Sequence, residues 1–119
     1  MARSGSSKDE IKQFIEQRFD YDLQRSVSEI RVGYRFDVSC KGTVPVALTI
    51  FLESKNFEHS LQLAVSVGGD TDTIAAITGS IAEACYGIPE HIKIAAMAYL
   101  PKDIIDVLSN FYKHINERC

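Results

Sequence analysis

The sequence predicts an all-α protein, a helical bundle of about six helices. Three observations predict it. Apolar residues recur at three- and four-residue spacing along most of the chain. Ser, Thr, Asn or Pro stands at the head of the periodic stretches. The one alternating stretch, Tyr34 to Val38, is short and lacks an obvious partner strand, so it reads as an extended connection. With 119 residues, 45% of them hydrophobic, the chain is long enough for one modest core.

Each helix has its own grounds. Ser7 and Glu10 fit a capping box, and Ile11, Phe14, Ile15 and Phe19 follow at helical spacing, which predicts an amphipathic helix over 8–19. Ser26 with Glu29 marks a second cap, opening one or two turns. Thr43 reads as the next N-cap, with Pro45 tolerated in the first turn. Val44, Ala47, Leu48, Phe51 and Leu52 give the helix over 44–54 its apolar face. Asn56 caps a fourth helix, which turns Leu61, Ala64 and Val65 inward and stops at Gly68. The most apolar stretch, from Thr71 to Tyr86, carries Ala75, Ala76, Gly79, Ala82 and Ala84. Small residues on several faces predict a central helix approached closely by its neighbours, ending at Gly87. Pro89 and Pro101 suit first helical positions and open helices over 89–99 and 101–117, the last with a core face of Ile104, Ile105, Leu108, Phe111 and Tyr112. Residues 1–7 lack the apolar core of a signal peptide and read as a disordered or vector-derived end; residues 8–119 form the domain.

Bulk charge narrows the function. A net charge of −3 and the lack of any basic block argue against a nucleic-acid backbone as main partner. No apolar run reaches membrane-spanning length. Cys40, Cys85 and Cys119 are odd in number and widely spaced, which suits free thiols in a reducing, cytoplasmic compartment rather than a disulfide framework or a zinc site.

Chemistry concentrates in Gly68, Gly69, Asp70, Thr71, Asp72 and Thr73. Asp70, Asp72 and Thr73 offer hard oxygen donors, the type that Mg²⁺, Mn²⁺ or Ca²⁺ prefers. The plainer alternative is an N-terminal cap, with Asp70 and Asp72 satisfying free N–H groups and the helix dipole. A phosphate-binding P-loop is ruled out because no Lys follows the glycines, and an EF-hand because Ile81 stands where its twelfth-position Glu belongs. An aspartate-nucleophile phosphatase has a similar Asp-x-Asp spacing, but needs a strand where residues 63–67 read helical.

The other polar candidates read as structural. His59, His91 and His114 fall on exposed faces, Tyr34, Tyr86 and Tyr99 at the core edge, and Cys40 in a connecting loop as a plain thiol. Glu83 is either a partnered core carboxylate or points outward.

The whole stretch from Gly68 to Pro89, with Phe36 to Pro45 and Ala47 to Leu52 upstream, resembles the C-terminal metal motif of the ADP-ribosylglycohydrolase family. The resemblance covers roughly residues 8–100. It implies an all-α bundle, the C-terminal part of that fold, with Asp70, Asp72 and Thr73 as ligands to Mg²⁺ or Mn²⁺ in a two-metal site, Asp70 and Asp72 being catalytic. The implied reaction is hydrolysis of the bond joining ADP-ribose to an acceptor. The family's N-terminal Thr-Asp-Asp cluster has no counterpart here, which implies half of a dinuclear site, millimolar cation affinity at best, and no efficient turnover by an isolated monomer. Apolar faces left uncovered then favour a homodimer or a complementary N-terminal half as partner. A non-catalytic helical module and the phosphatase stand as the alternative readings.

Overall fold

The computed structural model describes residues 1–34 and 39–118. Among them every regular element is an α-helix: α1 (Lys8–Phe19), α2 (Val27–Gly33), α3 (Cys40–Glu53), α4 (Phe57–Val67), α5 (Thr71–Tyr86), α6 (Glu90–Met97) and α7 (Lys102–Arg118). The predicted all-α class is the observed one. The stretch read as an extended connection, and with it Phe36, falls mostly outside the described residues, as does Cys119. The chain forms two compact units, Met1–Gly87 and Ile88–Cys119.

The N-terminal signals act as their chemistry requires. Ser7 accepts the Glu10 N–H while the Glu10 carboxylate accepts the Ser7 N–H, a complete capping box. Ser26 and Asn56 cap α2 and α4 from extended backbone, accepting from Glu29 and His59. The third helix departs from its expected start. It begins at Cys40, not at Thr43 or Val44, because Ser39 accepts the Gly42 N–H at 3.0 Å and makes the cap earlier. Pro45 therefore lies inside the helix. The carbonyl that loses its donor to the proline is that of Lys41, an exposed residue that water can reach. Thr49 Oγ1 in turn donates to the Pro45 carbonyl at 3.0 Å.

In the first unit, α3 is the central helix. Thr43 and Val46 to Phe51 are all buried, so the helix is covered on nearly every side. Val27 and Ile30 of α2, Ala64 and Val67 of α4, and Ile74 of α5 pack with Val46, Ala47 and Ile50 in one cluster. The central place expected for the small-residue helix belongs to α3 instead. Helix α5 buries only Ile74, Thr78 and Ala82, a single stripe at four-residue spacing, and leaves Ala76, Ser80 and Cys85 exposed. Its small residues serve closeness rather than all-round burial: a Cβ on Gly79 would lie 3.2 Å from Leu61 Cδ2 of α4. Buried Thr78 donates to the Ala47 carbonyl of α3 at 3.3 Å.

Helix α1 docks through its first turn. Lys8 Nζ donates to the Ser54 carbonyl and sits 5.4 Å and 5.3 Å from the ring centres of Phe51 and Tyr86. Of the expected apolar face only Ile11 is buried; Phe14 and Phe19 are about half exposed. Residues 2–5 turn, and Arg3 pairs with Glu83, which settles Glu83 as a partnered carboxylate.

In the second unit, α6 buries no residue completely. Ile104 and Phe111, expected in the core face of α7, are 44% and 50% exposed. An eight-residue α6 is too short to cover the apolar stripe of a 17-residue helix. Tyr99 is 90% exposed rather than at the core edge. Val65 of α4, expected inward, is also exposed, since the turn that buries Ala64 carries its neighbour to the other side.

Candidate metal centre

The candidate site is built on the turn from α4 into α5. Gly68 ends α4 with φ +83°, and Gly69 follows at φ +67°. Two successive residues on the positive-φ side reverse the chain in a way that side chains with a Cβ resist. Gly69 is needed for a second reason. A Cβ there would collide with Cε1 of Tyr34 and lie 3.0 Å from its Cδ1. The Tyr34 ring, itself packed on the buried cluster, occupies the space beside the Gly69 backbone.

Asp70 comes next, as the N-cap of α5, and its carbonyl accepts the first helical bond from Ile74 at 3.0 Å. Its side chain makes no capping bond. The capping expectation fails for a geometric reason. Ser7, Ser26, Ser39 and Asn56 cap with ψ between 150° and 178°, whereas Asp70 has ψ 65°, so its carboxyl is not swung over the first turn.

Asp72 follows two residues on, in the first turn of α5. The neighbouring Asp70 side chain is the first cause that holds the Asp72 carboxyl below its ordinary pKa of 3.8, and the Thr73 N–H, donating to Asp72 Oδ1 at 3.0 Å, adds to it. Both residues thus belong to the N-terminus of α5. Asp72 and Thr73 are exposed and Asp70 is half buried. The sequence-predicted set, Asp70, Asp72 and Thr73, is contiguous in the structure.

This donor set suits a hard divalent cation. Two neighbouring carboxylates repel when both are ionised, and a cation shared by them would remove that repulsion. Oxygen donors match Mg²⁺ or Mn²⁺ by hardness. Among the described residues no group of three or more His, Cys, Asp or Glu side chains gathers as a metal site. The pair is therefore an open two-carboxylate cradle, not a cage.

The remaining candidates are placed as follows. His91 and His114 are exposed. His59 is half buried, its Nδ1 accepting the Lys55 N–H at 3.0 Å, so it belongs to the α4 cap rather than to a site. Cys40 is exposed in the first turn of α3, not in a loop. Tyr86 donates to the Ser54 carbonyl at 2.9 Å, a core-edge role. The phosphatase reading falls, because the segment entering the Asp pair is helix α4 and not a strand. The residue that sequence reasoning passed over is Tyr34, taken as a core-edge aromatic only. Its place against Gly69 joins segments 35 residues apart, and no local spacing signals it.

Fold and site together define an all-α protein with paired carboxylates at the head of a glycine-turned helix. The model of the ADP-ribosylglycohydrolase family matches residues 3–119, and the chain belongs to that family. It is 34% identical over 93 residues to ADP-ribosylhydrolase ARH3 of Homo sapiens, a match covering 66% of this chain and 24% of that protein. The corresponding protein of Bos taurus is 32% identical over the same shares. An uncharacterized protein of Archaeoglobus fulgidus is 46% identical over 72 residues, covering 60% of this chain and 22% of its own length. The chain spans about a quarter of the length of the curated relatives it matches. No solved structure matches it.

Proposed function

We propose that this chain is the C-terminal part of a metal-dependent ADP-ribosylglycohydrolase and supplies one side of its cation site. The observation that carries the reading is that the Gly68–Gly69 turn places Asp70 at the N-cap and Asp72 in the first turn of α5, with the Asp70 side chain not engaged in capping, in a chain of this family. Mg²⁺ or Mn²⁺ is the cation, and an ADP-ribosylated acceptor the substrate. A cation held by Asp70, Asp72 and Thr73 would supply positive charge to orient ribose hydroxyls and to acidify a water, for a hydrolysis in which the anomeric carbon gains the water oxygen as its bond to the acceptor breaks.

The protein's own share is positional. Asp70 and Asp72 hold negative charge at a fixed place, and Thr73 extends the set of oxygen donors beside them. A carboxylate left free of the cation accepts the proton of the attacking water. Two carboxylates strip little water from Mg²⁺, so the isolated monomer binds it at millimolar strength and turns over poorly. The further ligands come from a complementary N-terminal half or from a second copy. A reducing, cytoplasmic setting accords with free, exposed Cys40 and Cys85.

The test measures ADP-ribose release from a mono-ADP-ribosylated protein with Mg²⁺ or Mn²⁺. Two forms are compared: the chain alone, and a chimera in which it replaces the matched stretch of human ADP-ribosylhydrolase ARH3. The chimera is expected to release ADP-ribose and to lose that activity on Asp70→Ala with Asp72→Ala. Activity that survives the double substitution contradicts the proposal.

A further inference from the structure

We propose that Tyr34 is the positioning residue of the carboxylate pair, its ring fixing the Gly68–Gly69 turn and through it the spacing of Asp70 and Asp72; this rests on the cation reading above. Among the described residues the turn's own backbone bonds are local, Gly68 N–H to the Val65 carbonyl at 3.4 Å and Thr71 N–H to the Gly69 carbonyl at 3.0 Å. Gly68 and Gly69 carry no side chains, Gly69 and Asp72 are exposed, and the Asp70 side chain does not cap α5. A glycine pair limits its own backbone conformation less than any other two residues, so packing from outside narrows it. Tyr34 supplies that packing. Its Cδ1–Cε1 edge fills the space where a Cβ on Gly69 would stand. Tyr34 is anchored in turn: its N–H donates to the Ile30 carbonyl at 2.8 Å, closing α2, and its ring lies on the core formed by α2, α3, α4 and α5.

The ring thus couples the rigid core to the loop one residue before Asp70. A cation shared by two carboxylates needs their separation set in advance, or binding must order the turn itself. Removing the ring is expected to free the turn without touching either carboxylate. The effect resembles the loss of an outer-shell support around a metal site.

The test uses the full chain and Mn²⁺ as probe. Free Mn²⁺ is followed by electron paramagnetic resonance, and backbone amide exchange is read at residues 69–73. Tyr34→Leu keeps apolar bulk in the core but loses the ring edge, and Tyr34→Phe keeps the edge. Gly69→Ala approaches the same contact from the loop side, should Tyr34→Leu fail to fold. Tyr34→Leu is expected to weaken Mn²⁺ binding by about tenfold, the lower end for loss of such a support, and to speed exchange at the turn. Tyr34→Phe should match the native chain in both readouts, and Gly69→Ala should weaken binding.

Native-like Mn²⁺ affinity and exchange in folded Tyr34→Leu, or in folded Gly69→Ala, overturns the positioning role while leaving the cation site intact. Asp70→Ala with Asp72→Ala is the control that separates the two readings. If it binds Mn²⁺ as the native chain does, the cation reading itself fails and the positioning role with it.

Discussion

Asp72 keeps its charge at lower pH than an isolated aspartate because the Asp70 carboxyl, and then the Thr73 N–H, favour its ionised form. Removing the larger cause tests the pairing. Asp70→Ala should raise the Asp72 titration midpoint, followed by carboxyl carbon NMR, toward the ordinary 3.8. An unmoved midpoint would mean that the two side chains do not meet. The sign for stability follows from linkage. A carboxyl held below its unfolded-state value contributes fully above that value and loses the contribution as pH falls through the lowered one. The carboxylates and their glycine turn were legible as residues, since small flexible residues before paired hard donors have few other readings. Whether Asp70 capped the helix was not legible, because that depends on one ψ angle. Tyr34 was not legible either: its contact with Gly69 exists only once α2 and α4 are packed side by side.

At the scale of elements, capping chemistry set most helix starts. Asn56→Ala, which deletes the acceptor for the His59 N–H, is expected to cost about 1 kcal/mol in urea unfolding. Phe51→Ala removes a fully buried ring from α3 and the face over which Lys8 Nζ stands, and is expected to cost about 3–5 kcal/mol. Equal, small losses for the two would contradict the central place of α3. The ends of α4 and α5 were readable from Gly68 and Gly87, whose positive φ values stop a helix. The start of α3 was misread because Thr43 and Pro45 form a plausible cap, while the working cap, Ser39, is followed by Gly42 and a proline that a helix normally avoids. Periodicity also overstated burial along α7, since spacing shows that a face is apolar but not that anything covers it.

At the scale of the whole molecule, α2 to α5 form a packed scaffold from which the turn into Asp70 and Asp72 extends. The all-α class followed from spacing and caps, and the family from the stretch around the Asp pair, because both are local in sequence. The ligand set of the proposed cation site is not local: beside Asp70, Asp72 and Thr73, no group of three or more His, Cys, Asp or Glu gathers among the described residues. The most direct measurement is anomalous scattering from crystals of the chain soaked in Mn²⁺. The account predicts an anomalous peak between the Asp70 and Asp72 carboxylates that disappears in Asp70→Ala with Asp72→Ala. Mn²⁺ bound elsewhere with no peak at that pair, or a peak that survives the double substitution, would contradict it.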